Sequence, residues 1–153
     1  FICKLHRAEK KTIGICFGHQ LIAKALGGKV GKSPHGWGIG MSKNIIHQQR
    51  PWMNPTCESF NLLMSHQDQV IELPTDAEVL ASNDLCPVYM MQIGKNLTIQ
   101  GHPEFTKHYM KALIEDRKNI LDPTCYQRGL DTLQLNKDDM LIAQWMMRFL
   151  NGQ

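Results

Sequence analysis

The feature that most constrains the fold is a short apolar run that breaks at a glycine-containing turn and continues into a helix-forming segment. Residues 11–16 are short, β-branched and apolar, which predicts a strand buried on both faces. The chain then passes through Phe17 and Gly18 into residues 20–26, a good helix-forming run that ends at Gly27-Gly28. Strand, tight turn and helix form the elementary unit of α/β folds, so we expect an α/β domain.

The remainder of the chain contains further strand-like and helix-like segments. Five short strand candidates are separated by Pro, Gly and Asn-Asp: residues 39–46, 61–65, 78–82, 88–93 and 97–100. Thr106 is placed to cap a helix over residues 107–120, which Asp122-Pro123 would end. Asn136 is placed to cap a last helix. No repeat or linker divides the chain, which predicts a single domain over residues 1–153.

Composition argues against several classes of protein. The 17 Lys and Arg against 14 Asp and Glu give a formal net charge of +3 without a basic block, unlike a nucleic-acid binder. No window approaches the ~20 apolar residues that cross a membrane. The five cysteines have irregular spacing and no CxxC pair, which argues against disulfides or a metal site and predicts a cytoplasmic location. We expect no cofactor.

Gly14, Cys16 and Gly18 form the G-x-Nuc-x-G pattern of a nucleophile elbow. Glycines two residues to either side let neighbouring backbone pass close, so the cysteine projects above the carboxyl edge of the sheet. A helix N-terminus favours the thiolate, and the backbone N–H of Phe17 is placed to donate to a developing oxyanion. Taken alone, the pattern fits a buried structural cysteine equally well.

His102 and Glu104 lie two residues apart where the last predicted strand ends. Side chains alternate along a strand, so both should face the same side. His102 would then meet Cys16 while Glu104 supports the ring, the arrangement of nucleophile, base and orienting carboxylate used in covalent catalysis. A lone His-Pro-Glu fits a strand-ending turn, but the two motifs together are far more specific.

Three stretches, in this order along the chain, resemble the class I glutamine amidotransferases. They are Gly-Ile-Cys-Phe-Gly-His-Gln at 14–20, Met-Ser-His-Gln-Asp-Gln-Val at 64–70 and Gln-Gly-His-Pro-Glu at 100–104. The resemblance is nearest to the amidotransferase domain of GMP synthase and to stand-alone proteins similar to it. It implies a flavodoxin-like, three-layer α/β fold with a mostly parallel central sheet flanked by helices.

The same resemblance implies a reaction and its residues. Cys16, His102 and Glu104 would hydrolyse the side-chain amide of glutamine through a γ-glutamyl thioester, releasing ammonia for transfer to an acceptor. Substrate contacts would come from the Gln four residues after the nucleophile and, largely through backbone, from the Ser-His-x-Asp segment: Gln20, Ser65, His66, Gln67 and Asp68. The implied partners are this small molecule and a synthase, and a homo-oligomer is also compatible.

Two alternatives stay open. The stretch Gly-Trp-Gly-Ile-Gly at 36–40 resembles a branch that includes plant γ-glutamyl peptidases, which cut γ-glutamyl bonds in glutathione-type compounds with the same triad. The other alternative is that the amidotransferase fold serves here in a non-catalytic subunit.

The family pattern also predicts that the domain is N-terminally incomplete. In the family several βα units precede the elbow and include a glycine-rich loop with a second oxyanion donor. Here fifteen residues precede Cys16, none matches that loop, and the chain begins at Phe1 rather than Met. Loss of one oxyanion donor would lower turnover by roughly 10²–10³-fold, so this chain by itself is expected to be weakly active or inactive.

Overall fold

A computed structural model describes residues 1–153 as five helices and eight strands. The helices are α1 (Ile2–Arg7), α2 (Phe17–Ala25), α3 (Lys107–Asp116), α4 (Pro123–Thr132) and α5 (Asp139–Asn151). The strands are β1 (Thr12–Ile15), β2 (Lys29–Lys32), β3 (Gly38–Ile46), β4 (Ser59–His66), β5 (Asp68–Glu72), β6 (Glu78–Ser82), β7 (Met90–Ile93) and β8 (Asn96–Ile99). No helix is both long and apolar enough to span a membrane.

Six strands form the central sheet in the order β1-β8-β7-β6-β3-β4, and β2 pairs with β5 in a separate two-stranded sheet. The α/β class with helices flanking a central sheet is confirmed. The pairing differs from the expected mostly parallel sheet, because only β1 and β8 run parallel while the four other neighbouring pairs are antiparallel. Short connections between β6, β7 and β8 favour antiparallel pairing, since parallel neighbours need a long crossover.

The central sheet curls until its two ends approach each other. After β8 the Gln100 N–H donates to the Tyr89 carbonyl at 2.8 Å, and the His102 N–H donates to the Leu63 carbonyl in β4 at 2.7 Å. The pairing directions place the carboxyl ends of β1, β8 and β4 on the same edge of the sheet. Residues that follow these three strands therefore meet at that edge.

The largest apolar cluster joins α5 to the sheet. Trp145 is completely buried and makes edge-on contacts with Trp52 and Phe60 at centroid distances of 6.5 and 6.1 Å. A second cluster packs α3 and α4 against β3, with Met110 and Ile114 fully buried. Helices thus cover the curled sheet and hold its edge in place.

The helix boundaries show where local signals were ambiguous. Thr106 caps α3 as predicted, with its hydroxyl accepting from the Tyr109 N–H at 3.1 Å. The helix predicted over residues 107–120 ends earlier, at Asp116, and Asp122-Pro123 begins α4 instead, because the Asp122 carboxylate accepts from the Cys125 N–H at 2.9 Å. Helix α4 was therefore missed, since Asp-Pro is both a stop signal and a good helix start.

Asp138 rather than Asn136 occupies the N-cap position of the last helix, and its side chain makes no capping hydrogen bond within the helix. The Asp138 carboxylate accepts from the Asn61 N–H at 2.7 Å, and its own N–H donates to the Asn61 carbonyl at 2.9 Å. This long-range pair with β4 sets the start of α5, which a local capping rule does not include.

Candidate active site

Cys16 lies at the turn between β1 and α2 in a strained backbone conformation. Its φ is 50° and its ψ is −103°, a region that few residues other than glycine adopt. Its N–H donates to the Ile99 carbonyl at 2.9 Å, and its carbonyl accepts from the Gln20 N–H at 3.1 Å. The strand pairing and the helix thus hold the cysteine side chain at the carboxyl edge of β1.

The two glycines of the elbow have different roles. A Cβ at Gly14 would lie 2.7 Å from the Gly18 carbonyl oxygen and 2.8 Å from the Ile22 side chain, so the helix packs directly on the strand there. A Cβ at Gly18 would meet no atom within 4 Å. The expectation that both glycines permit close backbone approach is therefore correct for Gly14 and wrong for Gly18.

The thiol of Cys16 is half-buried beside Gln100, whose side-chain Nε2 lies 3.5 Å from Sγ. Burial raises the pKa of the Cys16 thiol above its ordinary value, and the negative charge of Glu104 raises it further. Hydrogen bonds from the Phe17 backbone N–H and from Gln100 lower this pKa, but by less than burial raises it. The backbone N–H at the helix N-terminus therefore favours the thiolate, but its effect on the pKa is smaller than that of burial.

His102 and Glu104 are in direct contact, as the sequence predicted. The His102 Nδ1 lies 2.7 Å from Glu104 Oε1, and the His102 ring stacks on Phe105 with centroids 3.9 Å apart. The reason differs from the predicted one, because β8 ends at Ile99 and both residues lie in the following turn. The turn, not strand alternation, aims the two side chains at each other.

Gln20 reaches from α2 across the site. Its Nε2 donates to the Asp68 carbonyl oxygen at 2.7 Å and to Gln100 Oε1 at 3.1 Å. Asp68 makes this contact through its backbone, and the Gln67 carbonyl accepts a hydrogen bond from the Ser33 N–H at 2.8 Å. Gln100 therefore connects Gln20 to the Cys16 thiol.

Ser65 and His66 end β4 on the same edge and face different surroundings. The Ser65 hydroxyl accepts a hydrogen bond from Arg117 Nη1, at the carboxyl end of α3. His66 is buried without a partner for either ring nitrogen, and burial lowers the pKa of His66 to about 4. Ser65 thus contacts the guanidinium of Arg117, whereas the buried His66 ring next to it stays neutral.

Two residues of the site were not assigned from the sequence. Gln100 contacts Sγ, although it opens the stretch at 100–104 that pointed to His102. Tyr89 is fully buried, and a Cβ at Gly101 would lie 2.0 Å from its hydroxyl. The sequence signal for the Tyr89 contact was Gly101, immediately before His102. A glycine at such a position indicates that another side chain comes close to the backbone.

His19, next to the elbow, is fully buried and its Nδ1 lies 2.7 Å from the Thr98 hydroxyl. His19 thus packs α2 against β8. All five cysteines are unpaired. No cluster of three or more His, Cys, Asp and Glu side chains has an arrangement that would hold a metal ion.

Comparison with known proteins decides the family. Residues 1–119 match the model of the family described as glutamine amidotransferase class-I. The chain belongs to the class I glutamine amidotransferase family. Over 97% of its length it is 31% identical to γ-glutamyl peptidase 3 of Arabidopsis thaliana, and over 62% it is 40% identical to the glutamine-hydrolysing GMP synthase of Aeropyrum pernix.

The solved structures of class I amidotransferases have the same fold. A glutamine amidotransferase from Thermotoga maritima superposes with a TM-score of 0.79 at 23% identity, over 97% of this chain and 66% of the other. The chain spans 64% of the length of the Arabidopsis relative and 19% of the Aeropyrum one. Family membership thus rests on the sequence match, and the superposition supports the shared architecture.

Proposed function

We propose that this class I amidotransferase chain hydrolyses γ-glutamyl amide bonds through a thioester on Cys16. One observation carries the proposal: the strained turn holds Cys16 at the sheet edge where Gln100 contacts its thiol and where the His102–Glu104 pair also lies. A nucleophile, a base and a group that orients the base are the parts that covalent amide hydrolysis requires.

The proposed reaction begins with proton transfer from the Cys16 thiol to His102. The thiolate attacks the γ-carbonyl carbon, and the oxyanion that forms accepts a hydrogen bond from the Phe17 backbone N–H. The C–N bond then breaks as His102 returns the proton to the departing amine. A water molecule, deprotonated by His102, attacks the thioester and releases glutamate and the free thiol.

The surrounding groups support these steps. Since burial raises the pKa of Cys16, a base is needed to form the thiolate at neutral pH. Glu104, 2.7 Å from the His102 ring, holds the tautomer and stabilises the imidazolium. We assign Gln20 and the segment 65–68 to the γ-glutamyl group, because the Gln20 side chain bridges Asp68 and Gln100.

Glutamine is the first candidate substrate, with the ammonia passed to an acceptor on a synthase partner. Relatives named glutamine-hydrolysing GMP synthase support this assignment, and the Aeropyrum protein is one of them. The unpaired state of all five cysteines supports a cytoplasmic location.

A γ-glutamyl peptide is the second candidate substrate. The relatives named γ-glutamyl peptidase 2 and 3 of Arabidopsis match 99% and 97% of this chain, more than the 62% that the Aeropyrum GMP synthase matches. Glutamine and a γ-glutamyl peptide present the same acyl group to Cys16 and differ only in the amine that leaves. The proposed chemistry is common to both.

Covalent labelling of Cys16 tests the proposal. A diazoketone analogue of glutamine should add one γ-glutamyl-like adduct to the wild-type protein, detected by intact mass, and none to Cys16→Ala. Cys3→Ala is the matched control, because Cys3 is also half-buried and unpaired but lies in α1. Labelling that persists in Cys16→Ala, or no adduct and no glutamine hydrolysis in the wild type, would contradict the proposal and favour the non-catalytic alternative.

A further inference from the structure

Gln100 is the first residue after β8, and its side chain lies buried next to the Cys16 thiol. Its backbone N–H is already engaged with the Tyr89 carbonyl. Its side-chain Nε2 donates to Cys16 Sγ at 3.5 Å, and its Oε1 accepts from Gln20 Nε2 at 3.1 Å. One buried amide thus contacts the proposed nucleophile with its donor and a proposed substrate-binding residue with its acceptor.

The donor end of the Gln100 amide favours the thiolate form of Cys16. An amide nitrogen only donates, and a hydrogen bond to a charged acceptor is stronger than one to a neutral acceptor. Burial raises the pKa of the Cys16 thiol, the Phe17 backbone N–H lowers it, the charge of Glu104 raises it and Gln100 lowers it. Besides the proposed base, Tyr89 is the other titratable group coupled to the thiol, and burial raises its pKa and keeps it neutral. Gln100 is therefore the side-chain donor that favours ionisation of a buried thiol.

The acceptor end of the same amide fixes Gln20. The Gln20 Nε2 donates one hydrogen to the Asp68 carbonyl oxygen at 2.7 Å and the other to Gln100 Oε1. Both donors of the Gln20 amide are thereby used within the protein, and its Oε1 is left to accept from a ligand. Without Gln100 the Gln20 amide could turn about its last torsion, which has no strong preference of its own.

We propose that Gln100 is a positioning residue whose single amide group both holds the Cys16 thiolate and orients Gln20 for the γ-glutamyl group of the substrate. The inference rests on the proposed function and adds a residue to its machinery. The contact with the thiol affects ionisation, whereas the contact with Gln20 affects substrate binding. Because one amide makes both contacts, its removal should produce both effects together.

The first experiment measures ionisation of the thiol in Gln100→Met, which removes both hydrogen bonds and keeps an unbranched side chain of similar length. The probe is iodoacetamide, which needs no γ-glutamyl recognition, and peptide mass spectrometry follows alkylation of Cys16. The midpoint of the pH–rate profile should shift upward by about 1 pH unit, as expected for the loss of one hydrogen bond to a charged group. Gln92→Met is the matched control and should keep the wild-type midpoint, because Gln92 lies in β7 and donates to the Gly94 carbonyl.

The second experiment measures substrate binding. Gln100→Met should raise the KM for glutamine or γ-glutamylalanine about 5- to 10-fold, and Gln20→Met should raise it by a similar factor. The double variant should have a KM no higher than Gln20→Met alone, since Gln100 acts on binding through Gln20. Calorimetry in Cys16→Ala protein makes the same comparison of dissociation constants without turnover.

Gln100→Glu separates the two contacts and decides the matter if Gln100→Met does not fold. An ionised carboxylate keeps an acceptor for Gln20 and offers no donor to the thiolate. The KM should therefore stay near the wild-type value while the pH midpoint rises by more than in Gln100→Met. Circular dichroism establishes that each variant is folded. An unchanged midpoint in Gln100→Glu, or a KM as high as that of Gln20→Met, would overturn the inference.

The outcomes separate this inference from the proposed function. A wild-type midpoint and KM in Gln100→Met, or additive effects of Gln100→Met and Gln20→Met on KM, would overturn the role of Gln100 and leave Cys16 chemistry intact. No hydrolysis or binding of any γ-glutamyl compound by the wild type would overturn the proposed function and the orientation of Gln20 for substrate. The iodoacetamide profile would then still decide whether Gln100 stabilises the thiolate.

Discussion

At the scale of single residues, the chemistry of the candidate site depends on how burial changes ordinary groups. Burial raises the pKa of the Cys16 thiol, so the proposed reaction needs a base, the role that we propose for His102. The same effect keeps His66 and His19 neutral next to the site. The sequence shows which ionisable side chains surround the site, but it does not show that they are buried, and burial is what shifts their pKa values.

Replacing His102 tests its proposed role as a base. His102→Ala should lower the rate of Cys16 labelling by the glutamine diazoketone at neutral pH by about 10²–10⁴-fold, because the variant lacks the proposed acceptor of the thiol proton. The rate should recover as the pH is raised towards the elevated pKa of Cys16. His108→Ala, on the exposed side of α3, is the control and should label at the wild-type rate.

The buried histidines predict how stability depends on pH. Burial lowers the pKa of His66 to about 4 and the pKa of His19 to about 3 in the folded protein, below the ordinary value of 6.5. The unfolded chain therefore takes up protons below pH 6.5 while the folded protein does not. Stability is complete above pH 6.5 and falls as the pH drops towards 4, by roughly 2 kcal/mol per histidine at pH 5.

Urea unfolding at pH 7 and at pH 5 measures this difference. His66→Gln should show a smaller loss of unfolding free energy between the two pH values than the wild type. His35→Gln, at an exposed loop position, should lose as much as the wild type. An equal loss in all three proteins would contradict the assignment of the pH effect to His66.

At the scale of elements, the β1–turn–α2 unit was predicted most fully, because its signals are local. Apolar β-branched residues, a glycine-containing turn and a Gly-Gly stop lie within 18 consecutive residues, 11 to 28. The helix begins at Phe17 rather than at residue 20, since the turn is made by Cys16 alone. The unit as a whole nonetheless places Cys16 where the elbow pattern predicts.

The asymmetry of the two elbow glycines leads to a paired prediction. Gly14→Ala should destabilise the protein by about 1–3 kcal/mol, because its Cβ would overlap the Gly18 carbonyl and Ile22. Gly18→Ala should be neutral or stabilising by up to about 1 kcal/mol, since the site is open and helical. Chemical denaturation measures both, and equal destabilisation would contradict the close packing of α2 on Gly14.

Other elements were missed because their signals have two interpretations. Asp122-Pro123 fits a helix end and a helix start equally well, and here it begins α4, while α3 has already ended at Asp116. The short strands β2 and β5 were missed for a different reason. They pair with each other in a separate sheet, although β3 and β4 lie between them in the sequence. Their polar residues lack the apolar pattern by which strands are predicted, and the partner of each is distant in the sequence.

At the scale of the whole molecule, α5 holds the curled sheet through a single aromatic centre. Trp145 is fully buried, contacts Trp52 and Phe60 edge-on, and donates its indole N–H to the Pro55 carbonyl at 2.9 Å. This cluster joins the last helix to the strands that lead to the candidate site. The site edge therefore depends on the packing of α5, because Ile15, next to Cys16, also packs against this cluster.

Removing this centre should cost much of the stability of the fold. Trp145→Ala should lower the free energy of unfolding by about 3–5 kcal/mol, through the lost burial and the cavity that remains. Met147→Ala, on the exposed side of the same helix, should change it little. Thermal and urea denaturation compare the two, and a similar effect of both substitutions would contradict the central role of Trp145.

The sequence alone determined the elements whose causes are local: the α/β class, the strand and helix around Cys16, the Thr106 cap and the contact between His102 and Glu104. The tertiary structure decided the antiparallel pairing of most of the central sheet, the approach of Gln100 to the thiol and the fixation of Arg117 by Ser65 and Trp37. The contacts of Gln100 with Cys16 and of Arg117 with Ser65 join residues that are 84 and 52 positions apart. Local propensity carries no information about such distances, because the curl of the sheet and the packing of its helices bring them together.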